Sequence, residues 1–244
     1  MQAFSTEHIL RAWENGRNRH SVDKALLLLA LACPDYSTTA LSNLTVGQRN
    51  ALLLNLRQKT LGTRADCFAQ CPRCEAPLEF TIDMETFYAD TRETTLASMN
   101  TLNVDDYQIC FRLPTSIDLA ALVGCCDLAQ GSQLLITRCV VRSERAGYTL
   151  AITDLPAQVI AALAQAMLDL EPQAEMEIQL ECAECEHCWM ALFDIVSFFW
   201  TELEVQAKRV LREVSILAHA YGWSEAEILT LSTARRQFYL EQIH

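Results

Sequence analysis

The chemistry most legible in this chain belongs to two cysteine pairs, Cys71-Pro72-Arg73-Cys74 and Cys182-Ala183-Glu184-Cys185. A Cys-x-x-Cys spacing wraps a tight turn round one metal ion. Zn²⁺ prefers four soft ligands in a tetrahedron, and two such pairs supply them. The candidate ligands are therefore Cys71, Cys74, Cys182 and Cys185. His187 and Cys188 follow the second pair and Cys67 precedes the first, so each is a candidate substitute for one ligand. Four thiolates leave no position for water, which makes the expected zinc structural rather than catalytic. A redox Cys-x-x-Cys is the rival reading, but that motif sits at a helix start after a strand. Here strand-like runs flank both pairs. The plainest alternative is that the cysteines merely fill space.

Other catalytic machinery is missing from the sequence. There is no His-Glu-x-x-His, no phosphate-binding Gly-x-x-x-x-Gly-Lys, no Gly-x-Ser-x-Gly elbow and no Gly-rich dinucleotide fingerprint. We name no catalytic residue and expect a non-enzyme.

The elements that must position the cysteines follow from periodicity. Leu78, Phe80 and Ile82 alternate with polar residues after the first pair. Met176, Ile178 and Leu180 do so before the second, and Trp189 to Phe193 leave it. Alternation of this kind reads as half-buried strands. Each pair then sits at the tip of a hairpin, the layout of a zinc ribbon. An ordinary ribbon separates its pairs by about 15–20 residues, whereas residues 75–181 intervene here. The expected fold is α+β and mainly helical, a zinc ribbon split by a long α/β insertion between N-terminal and C-terminal helical segments. The boundaries are 1–63 for the first helices, 64–88 for the first ribbon half and 89–173 for the insertion. Residues 174–194 form the second half and 195–244 the last helices. Residues 89–101 are the best candidate linker.

Composition narrows the class. The 244 residues suffice for a sizeable core, and 51% are hydrophobic, which argues against a disordered or fibrous chain. A net charge of −12 argues against a general nucleic-acid or anionic-membrane binder. The apolar run at 25–33 is too short to span a bilayer, and residues 1–13 lack a signal-peptide hydrophobic region. Eleven cysteines is an odd number. With no secretory segment, reduced cysteines with some binding metal are a better reading than a disulfide scaffold.

Capping signals place the helices. Ser5, Ser21 and Thr45 open helices over 6–15, 21–32 and 46–60, and residues 35–45 between them read as turns. Arg49, Arg57 and Lys59 are expected on a solvated face of the third. In the insertion we expect one strand over 104–113, a helix over 117–130 broken by Gly131, and a short helix over 134–139. Cys125 and Cys126 on the longer helix are expected to fill core. A weak hairpin turns about Arg145-Ala146-Gly147, and a helix begins near Pro156 and runs to Leu170. A long helix over 195–221 carries Leu203, Ala207, Val210, Val214, Leu217 and Tyr221 on one seam. Two short helices follow, and in the last Arg235 and Arg236 lie beside aromatic residues. That arrangement suits either a docking surface or salt bridging.

Several stretches together resemble the baseplate and baseplate-hub assembly proteins of contractile-tailed phages and of phage-tail-like contractile injection systems, including the T-even-type hub assembly chaperones. They are residues 23–30, Gly47-Gln48-Arg49-Asn50-Ala51-Leu52-Leu53, both cysteine pairs, and Phe111-Arg112-Leu113-Pro114-Thr115-Ser116-Ile117-Asp118-Leu119. The end, Tyr221-Gly222-Trp223-Ser224-Glu225-Ala226-Glu227-Ile228-Leu229 followed by Arg235-Arg236 and Tyr239-Leu240, is the most telling. Unlike the usual ribbon ending Cys-x-x-Cys-Gly-His, this chain reads Cys185-Glu186-His187-Cys188, which makes the tight turn less comfortable. The resemblance implies a non-enzymatic component or assembly factor of a baseplate, with hub, spike or wedge proteins as partners. It places the protein in the bacterial cytoplasm during assembly, with retention in the particle left open. It also implies that Trp223, Arg235, Arg236 and Tyr239 dock a partner. Two other classes stay open: a zinc-ribbon adaptor in transcription or RNA handling, which needs a basic surface, and a metal-dependent hydrolase, which needs an open metal position.

Overall fold

The computed structural model describes residues 1–88, 99–125 and 127–243. Most of the candidate linker, and Cys126, lie outside them. Ser5 opens α1 (Thr6–Gly16), its hydroxyl accepting the His8 N–H at 3.3 Å. The ring of His20, rather than Ser21, caps α2 (Ser21–Ala32) by accepting from the Val22 N–H at 3.4 Å. A short α3 (Thr38–Ser42) forms where only turns are expected, because Ser37 caps it. Thr45 and Gln48 make a capping box for α4 (Val46–Leu61), which Gly62 stops at φ 95°. Strands β1 (Arg64–Gln70) and β2 (Pro77–Asp83) follow, then a 3₁₀ turn over Met84–Tyr88.

The insertion departs from the sequence reading in two places. The single strand expected over 104–113 is a hairpin, β3 (Asn100–Val104) and β4 (Tyr107–Phe111), because Asp105 turns the chain at φ 51°. The helix expected over 117–130 is two helices, α5 (Ser116–Ala121) and α6 (Leu128–Cys139). The break is at Gly124, φ 101°, and Gly131 lies inside α6. Cys125 is exposed between them, so it does not fill core. Next come β5 (Val140–Arg145) and β6 (Tyr148–Thr149). Ala146 and Gly147 join them at φ 48° and 83°, the backbone of a tight two-residue hairpin turn. Then α7 (Ala157–Leu170), β7 (Glu177–Glu181), β8 (Cys188–Leu192), α8 (Ile195–Tyr221), α9 (Glu225–Thr230) and α10 (Thr233–Glu241) complete the chain. The protein is α+β and mainly helical. No helix among the described residues is long and apolar enough to cross a membrane.

The strands form three antiparallel sheets: β1–β2, β3–β4–β5–β6 and β7–β8. The main core joins α1, α2 and α4 to the first half of α8 through Leu28, Leu29, Leu53, Leu56, Phe199 and Leu203. Both small hairpins root in that core, through Ala65 and Ile82 on one side and Met176 and Phe193 on the other. A second cluster packs α7 (Val159, Leu163) on the four-stranded sheet (Ile109, Phe111, Val140). The third closes α9 and α10 over the second half of α8. There Ala207, Val210, Val214 and Leu217 are buried, with Leu10 of α1, while Tyr221 ends the seam exposed.

Two arginines of α4 expected in solvent are inside. Arg57 donates to both carboxylate oxygens of Glu202 on α8, at 3.0 and 2.6 Å, and to the carbonyls of Gly62 and Arg64. Arg49 is buried against Asn50, whose amide donates to the Gln173 carbonyl at 2.8 Å. Lys59 alone of the three is exposed. A fork that spends its donors on a carboxylate and two carbonyls can be buried without an orphaned charge.

The insertion docks on the first turn of α4. Glu171 accepts from the Thr45 hydroxyl and, at 3.1 Å, from the Gly47 N–H, where a helix N-terminus favours a carboxylate. A Cβ at Gly47 would lie 2.9 Å from the Glu171 Cβ, so only glycine admits this approach. Val46 N–H donates to the Pro114 carbonyl at 2.9 Å. One turn further on, Asp118 gathers Arg112 (2.6 and 2.9 Å), Arg138 (2.8 Å) and both the N–H and hydroxyl of Thr115 (2.9 Å each). Burial pushes the Asp118 carboxyl up, but these donors outweigh it and hold it well below the usual carboxylate range.

A group held down in the folded state adds stability that is complete above its unfolded value, about pH 4, and is lost as pH falls below it. Asp118→Asn is therefore expected to cost about 3 kcal/mol at pH 7. In urea melts the gap between wild type and variant should narrow steadily below about pH 4. A gap that stays constant down to pH 2 would show that Asp118 contributes no such linkage.

Candidate metal centre

Each hairpin ends in a knuckle built the same way. In the first, Glu75 N–H donates to the Cys71 carbonyl at 2.9 Å and Cys71 N–H to the Ala76 carbonyl at 3.0 Å. In the second, Glu186 N–H donates to the Cys182 carbonyl at 2.9 Å and Cys182 N–H to the His187 carbonyl at 3.0 Å. The leading cysteine of each knuckle, Cys71 or Cys182, is 1% exposed, and the trailing one, Cys74 or Cys185, is more open.

The two knuckles meet face to face. The Cys71 and Cys185 sulfurs are 3.7 Å apart and those of Cys74 and Cys182 3.5 Å, and all four lie within 4.8 Å of one another. A disulfide would need about 2.05 Å. A tetrahedral Zn²⁺ with Zn–S bonds of about 2.3 Å implies sulfur–sulfur edges of about 3.8 Å. The donor set and its spacing thus fit a soft, four-coordinate dication.

Proton chemistry points the same way. Burial pushes the Cys71 thiol up, but donors from Arg73, Cys74 and Cys185 bring it down to about 7. An N–H at Ala76 lowers the Cys74 thiol, yet the surrounding sulfurs and burial drive it up to about 12. Cys71 ionises readily while Cys74 and Cys185 resist, because thiolates this close repel one another. A dication bound among them would remove that penalty.

The substitutes raised by the sequence are not gathered here. Among the described residues the cluster holds the four knuckle cysteines alone. His187 stacks on Trp189 with ring centroids 5.9 Å apart, and Cys188 is exposed. Cys67 faces its own strand's Ala65 carbonyl, and burial raises its thiol.

The C-terminal residues proposed for docking separate into two groups. Arg236 is 2% exposed and donates to Glu213 at 3.0 Å and to the Leu231 carbonyl at 2.8 Å, so it is an internal strut and not a surface group. Trp223 and Tyr239 pack edge to face at 4.9 Å within the third core cluster. Arg235 remains exposed, with Phe238 nearby. Sequence reasoning missed Glu213 as the partner of Arg236. One of three glutamates on the long helix, 23 residues earlier, gave no signal.

Residues 5–200 match the family model described as T4 bacteriophage base plate protein. The chain belongs to that family. The match takes in both knuckles and the whole insertion, while the tail stretch from Tyr221 to Leu240 falls beyond it. No curated protein and no solved structure matches the chain.

At the residue that follows each trailing cysteine the backbone is left-handed: Glu75 at φ 62° and Glu186 at φ 56°. A side chain there costs about 1 kcal/mol or more relative to glycine, less what glycine's freer unfolded chain takes back. Glu75→Gly and Glu186→Gly should each stabilise the metal-loaded protein by about 0.5–1 kcal/mol in urea unfolding. A loss of stability in both would mean that the glutamate side chains themselves support the knuckles.

Proposed function

We propose that Cys71, Cys74, Cys182 and Cys185 bind one Zn²⁺ as a closed structural centre, and that the two hairpins are the halves of a split zinc ribbon. On this reading the protein is a non-enzymatic component or assembly factor of a contractile phage tail or contractile injection system. It meets baseplate hub, spike or wedge proteins and is assembled in the bacterial cytoplasm. The observation that carries the proposal is the convergence of sulfurs 108 and 114 residues apart in a chain of the baseplate family.

A closed Cys₄ site has no position at which water or substrate could bind, which favours a structural over a hydrolytic metal. The knuckle surroundings, with Glu75, Glu181, Glu184 and Glu186 against Arg73, give no basic face for RNA or DNA. Metal binding would be coupled to folding, since the ligands come from segments that only the fold unites.

Metal analysis of the purified protein should return one zinc per chain, and Cys71→Ser or Cys182→Ser should abolish it. Chelation or either substitution should lower the thermal midpoint by more than about 10 °C. Wild-type protein that is metal-free and equally stable with chelator would overturn the reading. Co-expression with the hub, spike and wedge proteins of the same tail should yield a complex with at least one of them, and failure with all would remove the assembly role.

A further inference from the structure

The two hairpins share a knuckle joint at their tips and a common core at their bases, yet they belong to separate sheets. Between them β2 and β7 face each other across an open cleft of about 840 Å³. Phe80, Ile82, Ile178 and Leu180 line this cleft and also a second groove, bounded by α8. Among the described residues, no backbone hydrogen bond from 78–82 or 178–180 leaves its own hairpin. Each strand therefore offers an open edge, and the two edges point at one another.

The side chains specify what fits. Leu78, Phe80 and Ile82 on β2 and Ile178 and Leu180 on β7 make an apolar floor. At the alternate positions Glu79, Asp83, Glu177 and Glu181 are exposed along the rim, and none pairs with a cation among the described residues. A strand laid between the two edges would place one set of side chains on that floor and the other set beside four carboxylates.

We propose that the cleft between β2 and β7 is a slot for one extended segment of a partner protein that alternates apolar and Lys or Arg residues, hydrogen-bonding to both edges and joining the hairpins into a five-stranded sheet. β2 leaves its knuckle and β7 approaches its own, so the strands run in opposite directions. The incoming strand is parallel to one and antiparallel to the other. Main-chain bonds supply affinity, while the floor and the acidic rim supply specificity. The slot deepens the assembly reading, on which the partner's identity rests, but itself stands on the strand geometry.

The test uses the full-length, zinc-replete protein and a synthetic peptide of about eight residues alternating Lys and Val, long enough to span β2. Calorimetry should show saturable binding at one site. The peptide N-methylated at alternate residues keeps its charge but loses one ladder, and should bind at least about tenfold more weakly. Glu79→Lys combined with Glu177→Lys should weaken the parent peptide by a similar factor, with an unchanged thermal midpoint. Hydrogen exchange should slow at the outward amides of 78–82 and 178–180 when peptide is added. Equal binding of the N-methylated peptide would reduce the effect to charge alone and overturn the slot, as would no binding. Full protection of those amides in the free protein would also overturn it, because another part of this chain or a second copy would then occupy the cleft. No tail protein is used, so such a failure leaves the metal and baseplate readings standing.

Discussion

The structure depends on two short hairpins being held at both ends. An isolated two-stranded hairpin is marginal in water, and neither β1–β2 nor β7–β8 lends the other a strand. At the base, Ala65, Ile82, Met176 and Phe193 enter a core that α8 shares with α1, α2 and α4. At the tip there is little apolar surface to bury, only four sulfurs within 4.8 Å. Sulfurs so close are a liability as thiolates and an asset as ligands. Closing the long excursion between them costs entropy that grows only logarithmically with its length, so the large insertion is little harder to accommodate than a short one.

That entropy is further offset because the insertion does not hang free. Its far ends return to one place, the first turn of α4. Pro114 receives the Val46 N–H, Glu171 receives the Gly47 N–H, and the Gln173 carbonyl receives Asn50. Two of the stretches that carry the family resemblance, around Gly47 and around Pro114, are the two sides of this joint. Their residue types have local reasons. Glycine is required where a Cβ would meet Glu171, and Asp118 is required where two guanidiniums and Thr115 converge. The family match spans this joint and both knuckles and ends within α8. Its bounds thus take in the parts that the two fastenings hold together.

What the sequence reveals and what it hides divide along physical lines. Cysteine spacing and strand alternation located both hairpins, because each signal is local. Ser5 and Thr45 located helix starts for the same reason. The burial of Arg57 was invisible, since a charged residue on a helix is ordinarily solvated and its partner Glu202 is 145 residues away. Arg49 was missed likewise, its setting made by Asn50 and a carbonyl from Gln173. The choice between Gly124 and Gly131 as the helix break was readable in principle. Asp127 caps α6 by accepting the Ala129 N–H, and that signal outranks a glycine seven residues beyond the true break. Trp223 and Tyr239, expected to dock a partner, are half-buried, and their rings pack on each other and on Tyr221 where α10 meets the end of α8.

Open strand edges invite aggregation, and proteins commonly blunt them with charge. Here the charge is of one sign along the facing edges, Glu79 and Asp83 on β2 and Glu177 and Glu181 on β7. Two copies brought edge to edge would set carboxylate against carboxylate, and the net charge of −12 adds to the repulsion. The same residues would attract a basic strand. On the slot reading one feature would do two jobs, discouraging the chain from pairing with itself and admitting a partner of opposite charge. On the metal reading, a clamp suits this arrangement better than a third strand would. It would fix the hairpin tips through side chains alone and leave the backbone edges available, whereas a paired strand would consume them.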